Sequence, residues 1–264
     1  MFTALFWPNF DIPIPFMNKI KLSRIDTRAP GHLNKAETKA KLEHVLHRLD
    51  ELQNLLYAEA KHSVLIIIQG MDASGKDGLT RDVFTSMNPQ GVDVFSFKEP
   101  TPHESAHDFL WRVHQNAPAK GMIQIFNRSH YEDVLITRVH RLINDDEARM
   151  RMKAINDFEQ LLMRHNGTHI LKFYLHISAK EQQKRLEERM SDPSKMWKYN
   201  ANDFKEAKLW DKYMNYYEDV FAHCNYVPWH IVPADQNWYK SYYVATTLEK
   251  LLSDLNMKFP GLKK

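Results

Sequence analysis

The feature that most constrains the fold is an apolar run that leads directly into a glycine-rich turn. Residues 63–69, SVLIIIQ, are largely β-branched and apolar on both faces, which is typical of a strand buried inside a parallel sheet. GMDASGKDG follows, and a helix is predicted from Lys76 to about Met87. A helix N-terminus at the end of a buried strand directs several backbone N–H groups at one point, where they attract phosphate oxygens.

The spacing of this turn matches a phosphate-binding loop, or P-loop. Gly70 is followed after four residues by Gly75 and Lys76, in the strand-turn-helix context that the motif requires. Glycines let the backbone approach a phosphate, and the Lys76 ammonium offers a compact charge to a phosphoryl group in transfer. The chain has 8 glycines in 264 residues, so three within one turn argue against a chance glycine-rich connection. The predicted phosphate ligands of this region are Gly75, Lys76, Asp77, Gly78 and Arg81.

Two aspartates distinguish this loop from the usual motif. The Ser or Thr that normally follows the lysine and binds Mg²⁺ is replaced by Asp77. Asp72 lies near the tip of the loop, where a carboxylate would repel phosphate unless a cation lay between them. We therefore predict Mg²⁺, with Mn²⁺ as an alternative, between Asp72 and the phosphate chain. Asp77 has a second interpretation, as an acidic residue favoured in a first helical turn by the helix dipole.

Strands and helices are predicted to alternate along the chain. Strands are predicted at residues 63–69, 92–97, 122–126, 169–177 and 229–232. Helices are predicted at residues 34–61, 76–87, 104–115, 129–142, 145–165, 179–190, 203–222 and 238–255. This alternation indicates an α/β protein with a five-stranded, mainly parallel sheet and helices on both faces, which is a three-layer sandwich. Since no linker or repeat is visible, residues 34–264 are predicted to form one domain.

Residues 1–33 are predicted to form an N-terminal arm punctuated by prolines. Its apolar start, MFTALFWPNFDIPIPF, lacks the basic flank and the cleavage site of a signal peptide. We expect the arm to pack on its own domain or on a partner subunit, because exposed Phe and Trp side chains seldom remain in water.

Composition and charge exclude several classes of protein. Hydrophobic residues at 43% and charged residues at 26% are ordinary for a globular protein and exclude wholesale disorder. A net charge of +3 gives no basis for nucleic-acid binding, and no apolar run approaches the length of a membrane span. The single cysteine, Cys224, excludes an intrachain disulfide framework and fits a reducing compartment, so we expect a cytoplasmic protein.

A second loop, NRSHYED, follows the third predicted strand. Asn127 stands where P-loop enzymes usually carry a metal-orienting Asp, and Arg128 and Ser129 follow as predicted phosphate ligands. An arginine there can clamp phosphate bidentately, and the alternative is an ordinary surface arginine. Ser129 and Glu132 have the spacing of a capping box, so Glu132 either caps a helix or contributes to the metal site. Asp133 either contacts the nucleotide or adds negative charge to the helix start.

The loop after the second predicted strand begins FKEPTP. Its prolines hold the backbone extended, which suits recognition of a nucleotide, and Lys98 is the predicted contact. The same stretch contains HESAH, a formal match to the HExxH zinc motif. In that motif the histidines lie in mid-helix, whereas His103 and His107 follow two prolines at a predicted helix start. We therefore interpret the match as a coincidence.

Residues 180–200 carry basic side chains ahead of the last predicted strand. Arg185 and Arg189 lie four residues apart, on one face of a predicted helix. One interpretation is a solvated helix with Glu–Lys and Glu–Arg pairs. The other is a helical lid at residues 179–202 whose arginines close over phosphates, and the position of the segment in the chain favours it.

Together these motifs resemble the polyphosphate kinase 2 family. The similar stretches run in order from about residue 35 to 255 and are GMDASGKDG, NPQGV, FKEPT, HDFLWRVH, FNRSHYEDVL, SDPSKMWK and VPWHIVPAD. The resemblance implies a P-loop kinase-like fold, similar to that of thymidylate kinase. It also implies reversible, Mg²⁺-dependent transfer of the terminal phosphoryl group of inorganic polyphosphate to a nucleotide, by a homodimer or homotetramer.

The resemblance further implies roles for individual residues. Asp72 would bind Mg²⁺ and orient the acceptor phosphate, while Lys76 and Arg128 would hold the phosphoryl group in transfer. Arg185 and Arg189 would act from the lid, with Arg189 also contacting the nucleotide. The intact NRSHYED resembles the branch that accepts both nucleoside mono- and diphosphates. AMP and ADP are therefore the expected acceptors, with guanine nucleotides as an alternative.

Two other functions fit the same P-loop. One is an ATP-dependent nucleoside monophosphate kinase, against which Asp72 and the missing Ser or Thr argue. The other is a module that binds polyphosphate or nucleotide without turnover. We predict catalysis, with Asp72, Lys76 and Arg128 as the catalytic residues.

Overall fold

The five predicted strands form one parallel sheet. The computed structural model describes residues 20–262, and its strands are β1 (Ser63–Gln69), β2 (Val92–Ser96), β3 (Ile123–Asn127), β4 (Thr168–His176) and β5 (Trp229–Pro233). The strand order is β2-β3-β1-β4-β5, and every neighbouring pair is parallel. β1 therefore lies at the centre of the sheet. All of its residues are buried, as its two apolar faces predict.

Helices cover both faces of the sheet. In the described part of the chain they are α1 (Lys35–Glu59), α2 (Lys76–Phe84), α3 (Pro102–Ser105), α4 (Trp111–His114), α5 (Glu132–Val139), α6 (Asp145–Asn166), α7 (Ala179–Ser191), α8 (Ala201–Ala207), α9 (Trp210–His223) and α10 (Asn237–Asp254). α1, α2 and α10 pack on one face, around Val64, Ile66 and Ile68 of β1. α5, α6 and α9 pack on the other, around Leu65 and Ile67. The alternation along β1 thus supplies both core layers and confirms the predicted α/β sandwich.

The predicted helix over residues 104–115 is wrong, because two separate turns, α3 and α4, take its place. Asp108 lies between them, and its Oδ1 accepts a hydrogen bond from Leu110 N at 2.9 Å. An aspartate that binds the backbone two residues ahead supports a turn in competition with a helix. The chain after β2 is therefore more irregular than its apolar spacing predicts.

The single helix predicted over residues 203–222 is also wrong, because two shorter helices occupy this stretch. α8 and α9 divide it, and Lys208 and Leu209 lie between them. Lys208 N donates to Lys205 O at 3.2 Å and Leu209 N donates to Glu206 O at 2.9 Å. These bonds reach three residues back instead of four, which tightens the chain and ends α8.

The described part of the arm, residues 20–33, packs on its own domain. Leu22 N donates to Glu218 Oε1 at 2.9 Å, and Thr27 Oγ1 donates to Asp235 Oδ2 at 2.8 Å. The aromatic start of the arm lies outside the described residues. None of the described helices has the length and apolarity needed to cross a bilayer.

The segment predicted to form a lid starts with α7. Ser178 caps this helix by accepting a hydrogen bond from Glu181 N at 3.2 Å. A short 3₁₀ turn, Met196–Lys198, follows and brings the chain to the P-loop helix α2. There Lys198 Nζ donates to Asp77 Oδ2 at 2.9 Å.

Candidate active site

The carboxyl ends of β1 and β3 bring the two predicted phosphate-binding loops side by side. Ile68 of β1 is in register with Asn127 of β3, so both loops leave the sheet at the same edge. Arg128 N donates to Ile68 O at 3.0 Å. Arg128 has φ +64°, a left-handed conformation that is costly for a residue with a Cβ. This turn allows the Arg128 side chain to reach the P-loop.

The P-loop turns tightly into α2 at Gly75. Gly75 is the N-cap residue with φ +93°, and a Cβ there would lie 2.4 Å from Lys240 Nζ. Leu79 N donates to Gly75 O at 3.0 Å, so the N–H groups of residues 76–78 precede the first intrahelical hydrogen bond. A phosphate at the N-terminus of α2 would bind these N–H groups.

Lys76 is buried against the P-loop backbone. Its Nζ donates to Gly70 O at 2.7 Å and to Met71 O at 3.1 Å. Burial lowers the pKa of Lys76 to about 8, the charge of Arg128 acts in the same direction, and the carboxylate of Asp72 opposes both. A bound phosphate would offer this ammonium a charged acceptor in place of two neutral carbonyls.

Asp72 and Arg128 form an ion pair beside the loop. Arg128 Nη2 lies 2.5 Å from Asp72 Oδ1. Burial raises the pKa of Asp72, but the charges of Arg128 and Lys76 outweigh it, so the pKa is lowered overall. Burial lowers the pKa of Arg128, but the carboxylates of Glu132 and Asp72 outweigh it, so the pKa is raised. Both side chains are therefore ionised at neutral pH, and they suit a cation and a phosphate respectively.

Glu132 and Asp133 open α5 directly after this arginine loop. Glu132 Oε1 lies 3.9 Å from Arg128 Nη1, and burial raises the pKa of Glu132. Burial also raises the pKa of Asp133, to about 6, against the opposing charge of Arg112. Arg112 Nη2 lies 3.7 Å from Asp133 Oδ2. Glu132 thus adjoins the Asp72–Arg128 pair, whereas Asp133 faces the loop that follows β2.

Ser129 is bound within the protein. Its side chain is buried, and its Oγ lies 2.9 Å from the amide group of Gln69 and accepts a hydrogen bond from Tyr131 N at 3.2 Å. α5 begins at Glu132 with Tyr131 as its N-cap residue, so the predicted capping of this helix by Ser129 is wrong. The interpretation of Ser129 as a phosphate ligand stays a prediction.

Asp77 links α2 to the second loop and to the lid segment. Its Oδ1 accepts a hydrogen bond from Asn127 Nδ2, and its Oδ2 accepts one from Lys198 Nζ, both at 2.9 Å. Burial raises the pKa of Asp77, but these two hydrogen bonds lower it overall, to about 2. Asp77 occupies the first turn of α2, as its alternative interpretation requires.

The two lid arginines contact protein groups. Arg185 donates to two carbonyls of the P-loop, each at 3.1 Å, and to two carbonyls between β5 and α10, at 2.8 and 3.0 Å. Its Nε donates to Glu181 at 2.9 Å, which occupies its fifth N–H group. Arg189 pairs with Asp203 of α8, and its charge contributes to the lowered pKa of Asp72. Arg185 therefore joins α7 to the P-loop, and Arg189 lies close enough to influence the site.

Two predicted ligands lie at the periphery. The side chain of Arg81 is 78% exposed on α2 and lies 3.3 Å from Asp82 Oδ1. Lys98 is exposed beyond the carboxyl end of β2, where its carbonyl accepts a hydrogen bond from Arg112 at 2.9 Å. The structure brings Asp72, Lys76 and Arg128 together, and Arg81 and Lys98 lie outside this cluster.

The HESAH stretch falls on the short helix α3. Glu104 completes a capping box, since its Oε2 accepts a hydrogen bond from Thr101 N at 2.7 Å. His107 Nδ1 lies 2.9 Å from His103 O. Within residues 20–262 no group of three or more His, Cys, Asp or Glu side chains is arranged to hold a metal ion.

Sequence reasoning missed two side chains that touch the P-loop. Gln182 Nε2 donates to Asp72 O at 3.0 Å, and Lys240 Nζ donates to Gly75 O at 2.9 Å. Gln182 lies three residues before Arg185, which is the helical spacing that places both on one face of α7. That spacing is a signal in the sequence. No motif around Lys240 marks it.

The fold and the site define an α/β protein of the P-loop kinase type. The glycine loop joins the central strand to α2, and a lysine and an arginine stand beside it. Three comparisons with known proteins extend this classification. The family model described as "Polyphosphate kinase 2 (PPK2)" matches residues 32–260.

Relatives and solved structures agree with the family model. An "AMP/ADP-polyphosphate phosphotransferase" of Meiothermus ruber is 48% identical over 215 residues, covering 81% of this chain and 80% of the relative. An "ADP-polyphosphate phosphotransferase" of Rhodopseudomonas palustris is 41% identical, covering 92% and 89%. The crystal structure of polyphosphate kinase 2 from Arthrobacter aurescens TC1 superposes with a TM-score of 0.89 at 43% identity, covering 93% of this chain and 89% of that chain.

The chain therefore belongs to the polyphosphate kinase 2 family. Its membership confirms the resemblance seen in the motifs and the prediction of a kinase-type phosphotransferase. The Arthrobacter structure likewise confirms the predicted three-layer fold.

Proposed function

We propose that the protein transfers the terminal phosphoryl group of inorganic polyphosphate to AMP and to ADP, reversibly and with Mg²⁺. The observation that carries the proposal is the convergence of Asp72, Lys76 and Arg128 at one P-loop. The names of the Meiothermus and Rhodopseudomonas relatives support polyphosphate as one substrate and AMP or ADP as the other.

In this in-line transfer the residues of the site have different roles. The N–H groups at the start of α2 bind the donor phosphates, and Lys76 and Arg128 neutralise the charge on the phosphoryl group in transfer. For this, Arg128 exchanges its carboxylate partner Asp72 for a phosphate. No side-chain nucleophile is needed, and no strong base, because the attacking phosphate oxygen of the nucleotide is already ionised.

The carboxylates at the site fit Mg²⁺ as this ion binds in phosphoryl-transfer enzymes. Mg²⁺ usually takes one or two carboxylates and completes its shell with phosphate oxygens and water. Asp72, whose lowered pKa keeps it ionised, would hold the ion, with Glu132 as the second carboxylate. Held by Asp72 and Glu132, the ion would supply positive charge against the negative charge that develops on the phosphoryl group in transfer. Mn²⁺ is the alternative ion with the same preference for oxygen ligands.

Two further features accompany the proposal. A "Putative GDP-polyphosphate phosphotransferase" of Corynebacterium glutamicum is 28% identical over 208 residues, which supports guanine nucleotides as additional acceptors.

Cys224 is free and buried, which is in keeping with a reducing compartment, and we propose that the protein is cytoplasmic. We also propose that it assembles as a homodimer or homotetramer.

The test offers polyphosphate and Mg²⁺ to the purified protein with AMP, ADP, GMP or GDP as acceptor and without ATP. Formation of the nucleotide with one more phosphate is expected with AMP and ADP. Lys76→Met, which removes the ammonium and keeps most of the side-chain volume, is expected to abolish this product. Product formation from AMP with ATP, and none with polyphosphate, would instead identify an ATP-dependent nucleoside monophosphate kinase.

A further inference from the structure

Every carbonyl of the P-loop accepts a hydrogen bond from a side chain. These carbonyls belong to Gly70, Met71, Asp72, Ala73, Ser74 and Gly75. Lys76, which is part of the motif, binds the first two. The other four are bound from outside the motif, by side chains of α7 and α10.

Three residues supply these outside donors. Gln182 donates to Asp72 O at 3.0 Å, Arg185 donates to the next two carbonyls at 3.1 Å each, and Lys240 donates to Gly75 O at 2.9 Å. Gln182 and Lys240 are almost fully buried, with exposed fractions of 2% and 1%. We call Gln182, Arg185 and Lys240 the carbonyl clamp.

The clamp fixes the direction of the loop's N–H groups. In a planar trans peptide the N–H of one residue points opposite to the C=O of the residue before it. Because the carbonyls of residues 72–75 point at the clamp side chains, the N–H groups of Ala73, Gly75 and Lys76 point away from them. Those N–H groups are free to face a phosphate, whereas Ser74 N donates within the loop to Met71 O at 3.1 Å.

Burial of the clamp argues for a role in shaping the loop. A buried amide or ammonium is costly unless it is hydrogen-bonded, and here the P-loop carbonyls supply the acceptors. Lys240 also donates to Asn237 Oδ1 at 3.1 Å, so its ammonium is bound both by Asn237 and by Gly75, the N-cap residue of α2. Burial and the nearby charge of Arg185 lower the pKa of Lys240 to about 7, but a neutral amine still donates a hydrogen bond.

We infer that Gln182 and Lys240, together with Arg185, are positioning residues that pre-form the P-loop for a chain of condensed phosphate. A loop ordered in advance does not lose conformational entropy when the polyanion binds. That the ligand is condensed phosphate rests on the proposed function, whereas the shape of the free loop does not. The ligand and the loop shape are therefore tested by different measurements.

The experiment compares donor-deleting variants with matched controls. Gln182→Met and Lys240→Met remove the N–H donors and keep apolar side chains of similar length. Gln183→Met changes the exposed neighbour on α7, and Ser241→Ala changes the buried neighbour on α10, whose Oγ donates to Asn237 O at 3.0 Å. Lys240→Gln keeps an N–H donor without the charge, and it serves as the conservative variant.

Three readouts separate shaping of the loop from general stability. Hydrogen exchange of the peptide covering residues 70–78 reports the free loop, and calorimetry reports binding of inorganic tripolyphosphate with Mg²⁺. Steady-state assays give KM for polyphosphate and for AMP. Both methionine variants are expected to exchange faster and to bind tripolyphosphate about tenfold more weakly, because each loses one buried hydrogen bond to the loop.

Gln183→Met and Ser241→Ala are expected to stay close to the wild type, and Lys240→Gln, whose amide nitrogen lies one bond nearer the backbone, is expected to fall between Lys240→Met and the wild type. KM for AMP should change less than KM for polyphosphate. Wild-type exchange and tripolyphosphate binding in both methionine variants would overturn the inference. Equal losses in Gln183→Met or Ser241→Ala would overturn it as well, because the effect would then be one of helix stability. Should one methionine variant not fold, the other and Lys240→Gln decide the question. A wild type that binds tripolyphosphate and transfers nothing would refute the proposed function alone.

Discussion

Arg128 Nη2 lies 2.5 Å from Asp72 Oδ1, so the guanidinium and the carboxylate at the centre of the site neutralise each other. Each group has the charge that suits a different component of phosphoryl transfer, the guanidinium a phosphate and the carboxylate a cation. The left-handed φ of +64° at Arg128 is the backbone conformation that brings the two together. Under the proposed function, Arg128 therefore exchanges Asp72 for a phosphate when substrate binds.

The first prediction concerns the carboxylate of Asp72. Asp72→Asn removes the negative charge and keeps the shape, so the Mg²⁺ concentration for half-maximal activity is expected to rise about tenfold or more. A Mg²⁺ titration of polyphosphate-dependent ADP formation from AMP measures this. Asp82→Asn removes a carboxylate from the outer face of α2 and is the matched control. An unchanged Mg²⁺ requirement in Asp72→Asn would remove this residue from the metal site.

The second prediction separates two arginines predicted to bind phosphate. Arg128→Ala is expected to lower kcat by about 10²–10³-fold, because it removes the charged donor that the proposed function assigns to the phosphoryl group. Arg81→Ala is expected to change kcat far less, since the side chain is 78% exposed and pairs with Asp82. Steady-state kinetics of both variants, with thermal melts as a check on folding, make the comparison. Equal losses would show that the phosphate chain also passes over the outer face of α2.

The third prediction is an alkaline limit to activity set by Lys76. Burial lowers its pKa to about 8, so the free enzyme carries the ammonium below this pH and loses it above. The value of kcat/KM for polyphosphate, which reports groups of the free enzyme, is therefore expected to fall as the pH rises through about 8. Lys76→Arg should be less active, and its kcat/KM should not fall in this pH range, because a guanidinium does not titrate there. The same alkaline decrease of kcat/KM in Lys76→Arg would assign the decrease to another group.

Much of this site could be predicted because its elements are encoded locally. The P-loop follows a strand that is apolar on both faces, and Arg128 follows the next strand of the sheet along the same edge. Parallel strands place their carboxyl ends at one edge of the sheet, which predicts that both loops lie there, and the pairing of β1 with β3 then brings Arg128 to Asp72 and Lys76. The strand assignments agree with the structure to within a residue or two for the same reason.

What could not be predicted depends on tertiary contacts and on turn chemistry. Arg185 has the spacing predicted for a lid arginine, but all five of its N–H groups bind protein atoms. Four of them donate to carbonyls that are distant from Arg185 in the sequence, and the fifth donates to the carboxylate of Glu181, one helical turn earlier. Lys240 lies in the last helix, where no local pattern indicates contact with Gly75. Asp108 breaks a predicted helix through one side-chain hydrogen bond, which hydrophobic periodicity does not register.

The last prediction concerns a buried ion pair behind the second phosphate loop. Lys172 Nζ on β4 lies 2.9 Å from Glu159 Oε2 on α6, both side chains are fully buried, and Tyr131 Oη donates to the same carboxylate at 2.7 Å. Burial raises the pKa of Glu159, but the charge of Lys172 outweighs it and lowers the pKa overall. Removing one partner leaves an uncompensated buried charge, so Lys172→Met and Glu159→Gln should each lower the free energy of unfolding by about 3–5 kcal/mol.

The double variant, with both substitutions, should lose less than the sum of the two single losses, since it carries neither charge. Urea unfolding of the four proteins completes the double-mutant cycle, and Lys153→Ala, which breaks an exposed pair with Asp157, is the comparison. Additive losses would mean that Lys172 and Glu159 act independently. Sub-additive losses would show that the two charges are energetically coupled, as their 2.9 Å contact indicates.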